Sequence, residues 1–262
     1  MGTALVTGAS AGLGRAFAVE LASRGHDLVL VARDHTRLEE LAEELQTTYA
    51  VSTETLSADL ADRDQAEQVA DRLRDASRPV DLLINNAGFG LRGSFTKGDL
   101  ADEERALDVM VRAVLVLSHA AAGAMRARGR GGILNVSSVA GFAVMGSYSA
   151  IKSWVTVFTE ALSVELAGTG VQATAVCPGF VHTEFHDRAR MNMSALPDAL
   201  WLDVDQVVTG ALRDLDAGRT VSVPSATYKA VTAGIRLAPR ALVRGISSSL
   251  AQRRRTAGRP SA

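Results

Sequence analysis

The sequence predicts an α/β fold: a doubly wound parallel sheet of about seven strands with helices on both faces. Two observations predict it. Apolar runs rich in Val, Leu and Ile recur along the chain, as strands buried on both faces require. Stretches of helical period separate these runs, as crossover connections between parallel strands require.

The elements follow in order. Strands are expected at 3–7, 28–32, 52–56, 81–85, 132–137, 172–176 and 220–223. A glycine-rich turn follows the first, opening a helix near Gly12. Helical period is clear in "RLEELAEELQ" (37–46), "QAEQVADRLRDA" (65–76) and "WVTVFTEALSVELA" (154–167), and Pro79 introduces the fourth strand. Residues 184–202, "EFHDRARMNMSALPDALWL", are too long for a simple strand-to-helix link and carry Met and Trp suited to a lid or pocket wall. After the last strand, residues 226–250 are basic and partly apolar, and Pro239 interrupts any helix there.

With 262 residues, 47% of them hydrophobic, the chain suits one α/β domain, taken as residues 1–225. Residues 226–262 then form a basic C-terminal extension, partly disordered or amphipathic. Cys177 is the only cysteine, which excludes an intrachain disulfide and fits a reducing compartment. No basic stretch precedes the apolar residues of "MGTALVTGAS", and the uncharged run between Arg130 and Lys152 is diluted by Asn135 and serines. Neither a secretory signal nor a membrane span is expected there, and the cytoplasm is the expected location. The net charge of −1 hides an asymmetry: from residue 217 onward there are nine Lys or Arg residues and no acid. Such a tail suits a peripheral membrane contact, and equally a solvated terminus or a subunit contact. No aromatic-rich basic surface or reader motif accompanies it, so nucleic acid is not an expected partner.

The stretch "TGASAGLG" (7–14) can be read in two ways. Gly8, Ser10 and Gly12 spell G-x-S-x-G, a turn that presents a nucleophilic serine. Only one strand precedes Ser10, however, so no earlier loop supplies the oxyanion donors such a site needs. Glycines 8, 12 and 14 ahead of a helix suit the other reading, a cradle for a dinucleotide pyrophosphate. After the second strand, Ala32 and Arg33 stand where an NAD-selective fold usually puts a carboxylate. A guanidinium there can pair with a 2′-phosphate.

With "ADL" (58–60), "NNAG" (85–88), "NVSS" (135–138), "YSAIK" (148–152) and "PGFVHT" (178–183), the chain resembles the short-chain dehydrogenase/reductase family over roughly residues 2–225, in its single-domain Y-x-x-x-K branch. The resemblance implies a Rossmann-like fold, a homodimer or homotetramer, and an NADP(H)-dependent oxidoreductase interconverting a carbonyl and its alcohol by hydride transfer, and residues 89–98 and 184–202 suggest an apolar pocket for a small-molecule substrate. It makes Tyr148 the general acid and base, Lys152 a ligand of the nicotinamide ribose, and Ser138 a hydrogen-bond donor to the substrate oxygen. Tyr148 and Lys152 stand four apart on one helix, so the ammonium can lie near the phenol and favour its phenolate. The implied cofactor contacts are Gly8, Ser10, Gly12, Leu13 and Gly14 at the turn, Arg33, and Asp59 and Leu60 beside the adenine. They continue with Asn85, Ala87 and Gly88 after the fourth strand, Tyr148 and Lys152, and Pro178, Gly179, Val181 and Thr183 around the nicotinamide. Asn85 has a second reading, as a brace between neighbouring strands.

Two departures from the family pattern stand out. Met110 occupies the place of an asparagine on the helix before the fifth strand, keeping the backbone carbonyl that helps hold a relay water but losing the side-chain amide. The segment between Ser138 and Tyr148, "VAGFAVMGS", is shorter than is usual in the family. Ser138 rather than Ser137 is taken as catalytic from the "SS" pattern, and strand alternation lets only one of them face a substrate. "HTEFH" (182–186) brings His182, Glu184 and His186 together, but without obvious further ligands, so no metal is expected. An alternative function is a weakly catalytic NADP(H)-binding adaptor that uses its basic tail on a membrane or protein.

Overall fold

The computed structural model describes residues 2–91, 95–183, 197–239, 241–245 and 247. Strands β1 (Thr3–Thr7), β2 (Asp27–Ala32), β3 (Thr53–Ser57), β4 (Leu82–Asn85), β5 (Gly131–Val136), β6 (Val171–Val176) and β9 (Val221–Ser222) make one parallel sheet. Its order is β3-β2-β1-β4-β5-β6-β9, and β7 (Phe180–Val181) pairs separately with β8 (Trp201–Leu202). The helices are α1 (Gly12–Ser23), α2 (His35–Tyr49), α3 (Arg63–Arg74), α4 (Leu100–Leu107), α5 (Ala113–Arg128), α6 (Gly146–Glu165), α7 (Val204–Asp216) and α8 (Ala226–Leu237). This is the doubly wound, Rossmann-like sheet of seven strands that the sequence predicts.

Strand alternation builds two cores. Ala4, Val6, Leu28, Leu30 and Ile84 point to one face, where Phe17 and Leu21 of α1, Leu38 and Leu45 of α2 and Leu212 of α7 cover them. Their sequence neighbours Leu5, Val29, Val31 and Leu83 point to the other, under Val69 and Leu73 of α3 and Leu117 of α5. The order reverses between β1 and β4, and the carboxyl ends of the strands on either side of that reversal define the cleft.

Two differences from the sequence reading have physical causes. Helical period is plainest from residue 154, but helix α6 starts at Gly146, and its first turns bury the polar Ser149, Lys152 and Thr156 alongside Ile151 and Val155, so hydrophobic period registers them only in part. The segment expected as a lid is only partly described: residues 184–196 lie outside the described residues, and Trp201–Leu202 is the strand β8.

Helices α4 and α5 join through a π-turn at Asp108–Arg112 into one run, Leu100–Arg128. It is long and apolar enough to cross a membrane, yet 56% of its most apolar window is buried within the protein. The basic extension begins with α8, which is docked on the body. Tyr228 and Thr232 are buried, the Tyr228 hydroxyl donates to Leu200 O at 2.7 Å, and Arg236 lies 4.8 Å from the centre of the Phe142 ring. Residues 248–262 lie outside the described residues.

Candidate active site

At the end of β1 the chain turns through Gly8, whose φ of 66° favours glycine. A Cβ there would also stand 2.9 Å from Asn86 Nδ2 and 3.0 Å from Ala87 Cα. A Cβ on Gly14 would collide with the Gly8 carbonyl oxygen. Helix α1 therefore starts tight against the turn. Its N-cap is Ala11, with no side-chain acceptor and no acid in the first turn. By contrast Asp34, Asp62, Asp99, Asp203 and Ser225 cap α2, α3, α4, α7 and α8 with side-chain oxygens. The start of α1, which like that of α6 has no side-chain cap, leaves its N–H groups and the positive end of its dipole open to an external anion. Thr183 closes over the same point, its Cβ 3.5 Å from where a Gly12 Cβ would be. The uncapped start and the crowded glycines fit a dinucleotide pyrophosphate, and Ser10 stands half-buried within that turn.

Sequence reasoning missed the clamp that holds the turn. Thr7 Oγ1 accepts hydrogen bonds from the N–H groups of Asn86 (2.9 Å) and Ala87 (3.0 Å), and Asn86 Nδ2 donates to Thr7 O at 2.9 Å. The ends of β1 and β4 are thereby tied across the sheet reversal. The only signal in the sequence was the position of these residues beside a glycine turn and in "NNAG".

Asn85 is corrected. Its side chain is buried, donating to Asn135 Oδ1 at 2.9 Å and Ser118 Oγ at 3.1 Å, while Asn135 Nδ2 donates to Thr159 Oγ1 at 2.9 Å. Buried amides must be satisfied, and this row spends the Asn85 side chain on bracing β4, β5, α5 and α6. The Leu60 and Val181 side chains are buried in the cores, which leaves their backbones for a ligand.

Arg33 follows β2 and is exposed. Asp59, beyond β3, is held by Arg105 of α4, whose Nη2 lies 2.9 and 2.7 Å from its two oxygens. Burial raises the Asp59 pKa, but the Arg105 hydrogen bond, the Ala61 N–H and the charges of Arg105 and Arg33 outweigh it, leaving the carboxyl below its ordinary value.

Across the cleft, Ser137 and Ser138 point opposite ways as alternation requires. Ser137 Oγ is buried, donating to Lys152 O at 2.7 Å beside Thr156 Oγ1. Ser138 Oγ accepts from Ala140 N at 3.1 Å and hydrogen-bonds the Tyr148 side chain. The short loop makes this possible by lying directly on α6: a Gly141 Cβ would be 2.9 Å from Lys152 C and from Ser153 N. Lys152 Nζ donates to Val136 O at 2.7 Å and sits 5.8 Å from the centre of the Tyr148 ring. Burial lowers the ammonium pKa to about 8. The expected lowering of the Tyr148 pKa is reversed here: burial raises it, and the Ser138 hydrogen bond only opposes that. The ammonium donates to the Val136 carbonyl.

Met110 lies in the π-turn, buried, with its Sδ 3.1 Å from where a Gly88 Cβ would be. It joins Ile151, Phe89, Leu91 and Tyr148 in one apolar cluster. Pro178 O accepts from Val139 N at 3.0 Å, and a Cβ on Gly179 would collide with the Tyr228 ring. His182 stacks on Trp201 at 4.4 Å, while Glu184 and His186 lie outside the described residues.

A model of the short chain dehydrogenase family matches residues 2–194. The chain is 39% identical over 204 residues to sulfoacetaldehyde reductase 2 of Chromohalobacter salexigens, covering 76% of this chain and 80% of that one. Among solved structures, a short-chain dehydrogenase from Sphingobium yanoikuyae in complex with NADPH is 33% identical with a TM-score of 0.81, covering 100% of this chain and 98% of its own. A short chain dehydrogenase/reductase from Burkholderia phymatum in complex with NAD is 28% identical with a TM-score of 0.78, covering 90% and 92%.

Proposed function

The chain belongs to the short-chain dehydrogenase family of oxidoreductases, and from that premise we propose that it interconverts a carbonyl and an alcohol using NADP(H). The observation that carries the reading is the Ser138–Tyr148 hydrogen bond beside the buried Lys152. When bound, the nicotinamide supplies or accepts the hydride. Tyr148 Oη gives its proton to the substrate oxygen or takes it back. Because burial raises its pKa, Tyr148 carries that proton at neutral pH, the form a reduction needs. Ser138 donates to the same oxygen as charge develops, and Lys152 binds the nicotinamide ribose.

The backbones of Gly8, Ser10, Gly12, Leu13 and Gly14 hold the pyrophosphate, and Arg33 takes the 2′-phosphate. Asp59 and the Leu60 backbone flank the adenine; Ala87, Gly88, Pro178, Gly179, Thr183 and the Val181 backbone flank the nicotinamide ribose and ring. NADP(H) is favoured over NAD(H) because Arg33 follows β2 directly, with no acid at the strand end. Phe89, Leu91 and Met110 around Tyr148 support an apolar substrate. Exposed Leu107, Leu115, Val157 and Val164 on α4, α5 and α6 support a homodimer or homotetramer.

The test is Tyr148→Phe, assayed with NADPH against a panel of aldehydes and ketones. Turnover should fall at least about a thousandfold while NADPH binding persists; unchanged turnover would sink the assignment. A second reading, a tail that rests on anionic lipid, draws on exposed Val231, Leu237 and Leu242 beside exposed Lys229 and Arg244. The full-length protein should then sediment with vesicles rich in phosphatidylserine and lose that property when Leu237 and Leu242 are both replaced by serine; equal sedimentation with neutral vesicles would exclude it.

A further inference from the structure

Arg33 and Asp59 emerge side by side. Ala32 is in register with Ser57, Ala58 N donates to Ala32 O at 2.9 Å, and Ser57 Oγ donates to Arg33 O at 3.2 Å. A cation and an anion on adjoining strand ends would ordinarily pair with each other. They do not: Arg105 reaches across from α4, 46 residues further along the chain, and its Nη2 takes both Asp59 oxygens. The other acid beside Arg33 is also committed, because Asp34 caps α2 through Arg37 N at 3.1 Å and pairs with the Arg37 side chain at 3.6 Å. Arg33 makes no ion pair among the described residues.

We infer that Arg105 is a specificity-determining residue of this site: by neutralising Asp59 it leaves the Arg33 guanidinium available to the 2′-phosphate of NADP(H). The inference rests on the NADP(H) reading above and adds a residue that none of the six sequence motifs contains. Its logic is electrostatic. Arg105 and Asp59 are each about a third exposed in their side chains, and ion pairs so open to water contribute little to folding. Uncompensated, the same carboxylate would pull Arg33 toward itself and repel a phosphate dianion, and both effects fall on NADP(H) rather than on NAD(H). Arg105 thus acts through Asp59, as a positioning residue, and needs no contact with the cofactor.

The experiment is a double-mutant cycle on binding, read as the ratio of NADH to NADPH dissociation constants from nicotinamide fluorescence, with thermal melts to confirm folding. Arg105→Gln should lower that ratio about tenfold. Arg105→Lys, which keeps the charge, should hold it near the wild-type value. Adding Asp59→Asn to Arg105→Gln should restore the ratio to within about threefold of wild type, because no carboxylate then needs neutralising. Equal weakening of both cofactors by Arg105→Gln would reduce the ion pair to a loop anchor and overturn the inference. A ratio still low in the double variant would overturn it too, showing Arg105 to be a direct phosphate ligand. Arg33→Asp separates the two levels: a ratio unmoved by Arg33→Asp defeats the NADP(H) reading itself, whereas a ratio that collapses there but ignores Arg105→Gln defeats only the inference.

Discussion

At the end of the cleft proposed to be catalytic, Lys152 is buried and Ser138 and Tyr148 are half-buried, held by carbonyls, hydroxyls and close backbone contact. At the other end, Arg33, Asp59 and Arg105 are arranged by charge, in partial contact with solvent. The first arrangement is over-determined: Lys152 alone is fixed by the Val136 carbonyl, by its helix and by the glycine loop pressed on that helix. The second depends on which of two arginines an exposed carboxylate prefers. Reactive geometry tolerates little displacement, so rigid packing suits it. Cofactor preference is a difference between two affinities, and solvent-exposed charge can adjust it with little cost to the fold.

Breaking the buried end should have the largest effect. Asn135→Ala removes the middle of the Ser118–Asn85–Asn135–Thr159 row and should destabilise the protein by about 2 kcal/mol in denaturant titration, since Asn85 and Thr159 lose partners they cannot replace with water. A loss within about 0.5 kcal/mol, the range of an ordinary surface change, would mean the row is not a brace.

A smaller effect concerns Lys152. Its folded pKa of about 8 lies below the ordinary 10.5, so between those values the unfolded chain holds a proton the folded one has released. Raising the pH therefore favours the folded state across that window. Wild-type stability should gain on that of Lys152→Met as pH rises through 8 toward 10.5; a constant difference would place the ammonium in water. Smallest is salt. Raising ionic strength to about 0.5 M should weaken NADPH binding a few-fold and NADH binding less, with turnover at saturating cofactor unchanged. Equal salt sensitivity for both cofactors would erase the contrast between the two ends.

The sheet was legible because its strands are apolar on both faces, and the glycine turn because only glycine suits a positive φ beside a crowded backbone. Much of the site was legible as motif letters but not as orientation. Asn85 lies within "NNAG", yet only the structure turns its amide into the core and gives the clamp to Asn86. The choice between Ser137 and Ser138 likewise needed the direction of two side chains. Arg105 was invisible, because an arginine on an exposed helix looks the same whether it faces water or reaches a carboxylate 46 positions away. The Tyr148 pKa was read from sequence with the wrong sign, since helical spacing reports the nearby lysine but not the burial that overrides it.

The contact between Gly141 and the backbone of Lys152 has a consequence for anyone wishing to retarget the protein. In many enzymes the pocket wall can be randomised while the catalytic machinery is left alone. On the function proposed above, loop and machinery meet at Gly141, where a Cβ would stand 2.9 Å from the Lys152 backbone, so a library varied over residues 139–147 also varies the seat of the lysine. Substrate range and turnover should be inherited together, and Gly141 is the position to hold fixed while the rest is explored.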